Sequence, residues 1–283
     1  MAGMGNMLIG LCCTVLLSAA VDGAPMTLSA NEHPWGRFLP NTWCIVQTVA
    51  VSNIDGRPVQ SIQTVRITLQ SVDESGVTMH EAETLELGGR FDKTPQIVKY
   101  DFFHEPIQDK AQVRQGEPEK LMIDRKVVPC AVRIYEQQTS GGHLTTTIWY
   151  TPHVYPYVLR VEKIMRSTPE GEGAKGQIIR QSVTLVQETA ALKVLRGIRR
   201  NRTYTIRTEE KAGNITRITD ARCSWDVPGG LLESTTRELD AQGREIRRSA
   251  SRMTNFFSHE MVPLQQPPQP AWVVPVVPVE SVP

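Results

Sequence analysis

Alternation of apolar and polar side chains is the feature that most restricts the folds open to this chain. Residues 62–69 read Ile-Gln-Thr-Val-Arg-Ile-Thr-Leu, so that Val65, Ile67 and Leu69 are separated by polar residues. Successive side chains of an extended strand point to opposite faces of a sheet. The pattern therefore predicts a strand with one face buried and the other in solvent.

Many other segments show the same alternation or are rich in β-branched residues. They are residues 44–51, 77–87, 97–102, 127–135, 144–150, 158–164, 177–187, 203–208, 215–225, 231–239 and 245–256. The turn-forming segments between strands are 55–56, 75–76, 141–142, 171–176, 212–214 and 242–243. All of them contain glycine, and strands joined by short glycine turns predict antiparallel meanders.

The predicted fold class is mainly β, an antiparallel curved sheet or half-barrel built of meanders, with few short helices. Residues 106–119 and 188–195 are compatible with a short helix, although neither has a strong apolar stripe. A parallel α/β enzyme scaffold needs a helix between successive strands, and the spacing of the predicted strands leaves little room for one.

The second half of the sequence is interpreted as two repeated units, residues 127–187 and 203–257. Each unit has a strand, a glycine turn, a strand that ends in tryptophan, a proline three residues later and a further strand. The two tryptophans, Trp149 and Trp225, are predicted to fill the core at a strand corner. Two such meanders side by side predict a single curved sheet with a shared concave surface.

The amino-terminal segment, residues 1–24, is typical of a secretory signal peptide. Its apolar stretch, residues 7–20, is too short to span a bilayer and is followed by small residues. Cleavage after Ala20 or after Ala24 fits the small-residue pattern. We therefore expect an exported protein, located in the periplasm, in the cell envelope or outside the cell, whose mature chain has no transmembrane helix.

The carboxy-terminal segment, residues 261–283, is rich in proline. Proline lacks a backbone N–H and fixes φ, so this tail is expected to be extended or disordered and not to join a sheet. Residues 25–260 remain for the antiparallel β domain, which is long enough for one large core or two small ones.

Charge and cysteine content give few functional clues. The formal net charge is +1 with both signs mixed along the chain, so no nucleic acid partner is expected. Most arginines after residue 195 alternate with acidic residues, which predicts a solvated outer face. Cys44, Cys130 and Cys223 follow the signal segment without a CxxC pair. Buried free thiols are the prediction, and one disulfide among the three is the open alternative.

Short motifs in the sequence do not predict catalysis. Residues 171–176 match GxGxxG but lie between two predicted strands, which indicates a hairpin tip and not a dinucleotide site. The His-Glu pairs at 80–81 and 104–105 have Thr84 and Gln108 where a zinc protease needs its second histidine. No catalytic, metal-binding or cofactor-binding residue is therefore assigned, and no cofactor is expected.

Several short motifs resemble those of an uncharacterised family of secreted bacterial β-rich proteins. The matching segments are His-Pro-Trp-Gly-Arg-Phe at 33–38, Asn-Thr-Trp at 41–43, residues 123–130, Trp149 with residues 155–160, and Val-Pro-Gly-Gly at 227–230 leading to Ser234. The resemblance covers most of residues 33–256 and implies an exported β protein with no known chemistry. Repeated open sheets of this kind also resemble the half-barrels of periplasmic lipoprotein carriers such as LolA and LolB, which hold acyl chains against a concave face.

Three functional hypotheses follow from these patterns. The first is an exported, non-catalytic binding or structural protein of the cell envelope. The second is a LolA-like or LolB-like carrier, for which the partner is a lipid or another envelope component and the concave face must offer an open apolar groove. The third is a secreted hydrolase whose site is formed only by residues distant in sequence.

Overall fold

The computed structural model describes residues 27–54, 57–107, 111–168, 176–189 and 203–258, and in these residues it is almost entirely β-sheet. A single turn of 3-10 helix, Ala30–Glu32, precedes the strands. The strands are β1 (Trp43–Ile54), β2 (Arg57–Asp73), β3 (Gly76–Glu86), β4 (Arg90–Asp92), β5 (Gln96–Tyr100), β6 (Gln112–Ile123), β7 (Lys126–Thr139), β8 (Gly142–Tyr150), β9 (Val158–Arg166), β10 (Ile178–Thr189), β11 (Thr203–Ala212), β12 (Ile215–Ser224), β13 (Leu231–Leu239) and β14 (Glu245–Phe257).

All of these strands belong to one antiparallel sheet, which confirms the predicted fold class. Their order is β4-β3-β2-β1-β14-β13-β12-β11-β10-β9-β8-β7-β6, and β5 pairs with β3 beside β4. Neighbours in the sheet are neighbours in sequence except for β1 with β14, which pair over ten positions, and β3 with β5, which pair over five. Among the described strands, β6 forms one edge and β4 with β5 the other, so the sheet is open.

One face of the sheet, called the inner face, carries Cys44 and Leu69 at one end of the strand order and Ile148 at the other. Residues 27–42 and 101–107 pack on this face. Phe102 contacts the core cluster of β1–β3 and also the core cluster of β7–β9, although these strands lie far apart in the order. The sheet therefore curves around the inner face, as expected for a half-barrel.

The core at the β6 edge is buried on both faces of the sheet. Val132 and Trp149 belong to a cluster on the outer face, with Leu121 and Leu159. Ile148, next to Trp149 in β8, lies in the opposite cluster on the inner face. Strands buried on both sides give continuous apolar runs, and this explains why alternation is weaker in β7 and β8 than in β2.

The prediction of a short helix over residues 106–119 is wrong, because residues from Gln112 onward form the edge strand β6. β6 pairs only with β7 and leaves most of its side chains exposed. An exposed edge strand needs no apolar stripe, so its composition gave no strand signal. Pro118 lies at a register shift between Gly116 and Glu119, where a missing N–H costs no ladder bond. The other predicted helix, 188–195, begins inside β10 and otherwise lies outside the described residues.

The structure also bears on the predictions about the cysteines, the two tryptophans and membrane-spanning helices. Cys44, Cys130 and Cys223 are free and buried, as predicted. Burial raises the pKa of the Cys44 and Cys130 thiols to about 12 and that of the Cys223 thiol to about 11. Trp149 and Trp225 are buried core residues. In the described part of the chain, no helix is long and apolar enough to cross a membrane.

The signal segment, residues 1–24, and the proline-rich tail, residues 261–283, lie outside the described residues. The two proposed repeats correspond to β7–β10 and β11–β14, each a run of four strands paired in sequence order. That these two runs are repeats of one unit stays a prediction.

Candidate functional site

The amino-terminal segment fills one end of the inner face. His33, Trp35, Arg37 and Phe38 are all buried, although two of the four side chains are polar. The Trp35 indole contacts the cluster of Phe38, Cys44 and Leu69 that lies on β1–β3. Residues 33–38 are the distinctive His-Pro-Trp-Gly-Arg-Phe motif, which packs on β1–β3 through Trp35 and Phe38 and on Trp225 through Arg37, and we call this motif the plug.

Two histidines meet where the plug packs on residues 101–107. The rings of His33 and His104 lie edge to face with their centroids 4.6 Å apart; His33 is buried and His104 is half-buried. Burial lowers the pKa of His33 well below its usual value, and burial with the nearby Lys163 charge lowers the pKa of His104 to about 4. His33 Nδ1 accepts a hydrogen bond from the Trp35 backbone N–H, which requires a neutral ring at that atom. Both imidazoles are therefore uncharged at neutral pH.

An aromatic cluster joins the plug to the corners of the sheet. The Tyr155 ring lies 5.0 Å from the Tyr204 ring and 4.8 Å from the Trp225 ring, in edge-to-face contacts. The Arg37 guanidinium lies 4.7 Å above Trp225. Burial raises the pKa of Tyr155 and of Tyr204, so neither phenol is available as a base. The cluster is therefore suited to stabilising the corner and not to acid–base chemistry.

A small polar cavity of about 110 Å³ lies between residues 105–106 and the inner face of β7–β9. Its charged walls are Glu105 and Lys163, whose carboxylate and ammonium are 2.8 Å apart. Burial raises the pKa of Glu105. The nearby Tyr135 hydroxyl donates to Asp101 Oδ2 over 2.5 Å, which holds residues 101–107 against β7. A cavity of this size holds a few waters, and its charges already pair with each other.

The middle of the inner face carries a continuous row of small hydroxyl side chains. We call this row the hydroxyl floor; its members are Thr184, Thr208, Thr219, Thr236 and Ser249, on β10 to β14, continued by Ala50 on β1 and Ser61 on β2. The hydroxyls of Thr184 and Thr208 are 2.9 Å apart, and those of Thr219 and Thr236 are 2.8 Å apart. Seven strands at about 4.8 Å spacing make the floor about 29 Å wide.

A second row beside the hydroxyl floor contains Ile206, Ala221, Ser234, Ser251 and Thr48, of which Ile206 alone is a large apolar residue. The Thr48 and Ser251 hydroxyls are 2.9 Å apart. The side chains of both rows are partly buried or buried. The two rows together form a polar strip along the inner face, which we call the trough.

An ion-pair row forms the rim of this trough on the side away from the plug. Arg217 Nε and Nη2 donate to Glu238 Oε1 at 3.1 and 2.9 Å, and Arg217 Nη1 lies 3.3 Å from Glu210. Arg180 pairs with Glu210 from one side, and Arg247 lies 3.7 Å from Glu238 on the other. Three arginines and two glutamates thus alternate on neighbouring strands, and they border the trough with donors and acceptors of both signs.

The outer face of the same strands is different in character. It exposes Arg207, Asp220, Arg222, Glu233 and Thr235, and two of its ion pairs join Arg207 to Asp220 and Arg222 to Glu233. This matches the predicted solvated face of interleaved arginines and acids. These five outer side chains are exposed, whereas those of the hydroxyl floor on the same strands are partly buried.

Sequence reasoning assigned no site residues, and the structure brings together residues that it did not connect. His33 and His104 are 71 positions apart in the sequence. They meet only because residues 101–107 cross the inner face. In the sequence, the hydroxyl floor appears only as threonine and serine at alternate positions within single strands. Its continuity across strands depends on the pairing registers, which cannot be deduced from the sequence. In the described part of the chain, no group of three or more potential metal ligands is present.

No protein-family model and no curated protein matches this chain. Similar solved structures include a domain from Vibrio parahaemolyticus described, as a provisional assignment, as an outer membrane lipoprotein-sorting protein. Its TM-score is 0.33 at 9% identity, covering 77% of this chain and 84% of that chain. Another is a provisionally assigned exported protein with a YmcC-like fold from Bacteroides fragilis, with a TM-score of 0.29 at 8% identity, covering 78% of this chain and 98% of that chain. At TM-scores and identities this low, the likeness assigns the chain to no family.

Proposed function

We propose that this chain is an exported, non-catalytic binding protein of the cell envelope, and that its inner trough holds a polar, hydrogen-bonding ligand. The observation that carries the proposal is the hydroxyl floor, a row of partly buried threonines and serines that runs across five neighbouring strands. The amino-terminal segment typical of a signal peptide supports export.

The chemistry of the trough favours a ligand rich in hydroxyl groups. Each threonine or serine offers one donor and two acceptor positions, and a floor of alternating pairs can exchange its internal hydrogen bonds for bonds to a ligand. The rim adds guanidinium donors from Arg217 and carboxylate acceptors from Glu210 and Glu238. A short oligosaccharide of the envelope has this combination of donors and acceptors, so we propose this class as the ligand.

The lining gives less support to the carrier hypothesis. An acyl chain gains about 25 cal/mol for each square ångström of apolar surface that leaves water, and it would desolvate the hydroxyls of this floor without replacing their hydrogen bonds. The apolar side chains of the inner face are instead packed under residues 27–42 and 101–107. Carriage of a lipid therefore ranks second among our proposals, and hydrolysis stays a hypothesis without assigned residues.

Removing two hydroxyls from the floor is expected to weaken binding at least tenfold. In the double variant Thr219→Val and Thr236→Val, the side-chain shape is kept but two donor–acceptor groups are lost, at about 1 kcal/mol each. Titration calorimetry with a panel of soluble envelope oligosaccharides measures the change in Kd. The same incubations, followed by mass spectrometry, are expected to return the oligosaccharides intact.

The matched control is Thr235→Val, because Thr235 neighbours Thr236 in β13 but is exposed on the outer face. This variant is expected to bind as the unmodified chain does. Equal losses in the two variants would contradict the proposal. So would saturable binding of phospholipid with no binding of any oligosaccharide, and cleavage of the oligosaccharide would contradict its non-catalytic part.

A further inference from the structure

A groove of about 340 Å³ with both polar and apolar walls lies at the end of the sheet where β14 runs past β13. We call it the β14 groove; its apolar walls are Val227, Leu232, Met253 and Phe256. Phe256 is 44% exposed, which is unusual for a large aromatic side chain at the end of a strand. An exposed aromatic beside apolar side chains that are buried or partly buried is a surface suited to covering by another segment.

The backbone beside the groove is also open. The last pair between β14 and β13 joins Arg252 to Glu233, and residues 253–257 of β14 continue beyond it while paired only with β1 among the described strands. This short stretch leaves backbone donors and acceptors on the groove side without a ladder. An extended segment placed in the groove can therefore contact both the apolar walls and the free edge.

The charges at the groove rim favour a weakly acidic occupant. Arg222 pairs with Glu233 at 3.2 Å, whereas no carboxylate of the described residues pairs with Arg252. An occupant with one or two carboxylates would pair with Arg252 and leave the Arg222–Glu233 pair intact.

The chain itself contains a segment with these properties, and it begins at the groove. Phe256 lies two residues before the last described residue, Ser258, and 25 further residues follow. They include seven prolines, the uncharged run Trp-Val-Val-Pro-Val-Val-Pro-Val at 272–279, and the carboxylates of Glu260 and Glu280. Proline-rich segments are held in a preformed extended helix and are recognised by grooves lined with aromatic side chains.

We propose that residues 272–279 of this chain dock in the β14 groove, with Trp272 or the valines against Phe256 and an acidic residue near Arg252. An extended proline-rich chain rises 3.1 Å per residue, so Trp272 can reach roughly 40 Å from Ser258, which is ample for a groove beside that residue. Because the segment is tethered to the groove, its effective concentration there is on the order of millimolar, and modest contacts are enough to hold it.

Hydrogen exchange of the exported chain, followed by mass spectrometry, tests this docking. The non-proline amides of 272–279 are expected to exchange at least tenfold more slowly in the full chain than in a synthetic peptide of residues 259–283. The variant Phe256→Ser is expected to abolish this protection. The matched variant Phe257→Ser is expected to keep it, because Phe257 is similarly exposed but stacks on Trp43 on the other face.

Thermal unfolding of both variants shows whether the sheet is intact. If Phe256→Ser no longer unfolds cooperatively, it is replaced by Leu232→Gln, which alters another wall of the groove. Exchange in the full chain as fast as in the free peptide would overturn the proposal. Equal loss of protection in both phenylalanine variants would overturn it as well. Protection that disappears on dilution would show that the groove belongs to a second copy of the chain and would overturn docking within one chain.

Discussion

The variant Trp35→Ala is expected to lose about 3–5 kcal/mol of unfolding free energy, the range for removing a buried aromatic side chain. Trp35 is 4% exposed and contacts the cluster formed by Phe38, Cys44 and Leu69. A Cβ added at Gly229 would lie 3.0–3.1 Å from the Trp35 indole, so the site has little space into which neighbours could move. The cavity left by alanine would therefore remain largely open.

The effect of this substitution should exceed its local contacts, because residues 33–38 connect β1–β3 to the corner that follows β12. Urea denaturation followed by far-ultraviolet circular dichroism measures the change. The control is Trp43→Ala, which removes a partly exposed tryptophan that stacks on Phe257 at the outer face. We expect that control to cost about 1 kcal/mol. Equal costs in the two variants would contradict the role of residues 33–38 as a plug.

Acidification is expected to destabilise the chain through His104. In the unfolded chain this imidazole takes up a proton near pH 6.5, whereas in the folded chain its pKa is about 4. Between these values the unfolded state binds more protons, so stability is complete above pH 6.5 and falls as the pH drops towards 4. The loss is on the order of 3 kcal/mol for a shift of this size.

The pKa values of two groups near His104 are also shifted by burial, and each shift changes stability in a defined direction. The pKa of His33 is also lowered, so its contribution has the same sign and the same upper limit near pH 6.5. The pKa of Glu105 is raised by burial, so its contribution is present at low pH and is lost as the pH rises through the carboxyl range. Burial and the nearby Lys163 charge together hold the His104 pKa down.

The variant His104→Asn isolates the contribution of His104. Asparagine tolerates the left-handed backbone at this position, where φ is 69°. Denaturation between pH 4 and pH 7.5 is expected to show a smaller loss of stability in this variant than in the unmodified chain, because one proton-binding difference is removed. If His104→Asn retained the full acid loss, the histidine pair would not be its source.

The sheet could be predicted from the sequence because its cause is local. Apolar residues at alternate positions and glycine turns fix where strands begin and reverse, and these signals occur in residues 62–69 and in most other strands. The edge strand β6 was missed for the same reason: the side chains of residues 112–120 are mostly exposed, so this stretch carries no periodic apolar signal. Edge strands are specified by their single neighbour and not by their own composition.

The plug and the trough could not be predicted, because both depend on contacts between residues distant in sequence. The burial of His33 and Arg37 requires residues 101–107 and Trp225 to arrive at the same place. The hydroxyl floor requires registers of four antiparallel pairs to align Thr184 with Ser249. A one-residue slip in any pair would turn a threonine to the outer face, and alternation alone does not fix that choice.

Methyl resonances of threonine offer the most direct measurement of whether the inner trough binds a polar ligand. Threonines of the floor, such as Thr208 and Thr219, and threonines of the outer face, such as Thr205 and Thr235, report separately in a spectrum of selectively labelled protein. Titration with the oligosaccharide that binds best in calorimetry is predicted to shift the floor methyls and leave the outer methyls unchanged. Shifts confined to the outer methyls, or an unchanged floor at saturating ligand, would contradict the account.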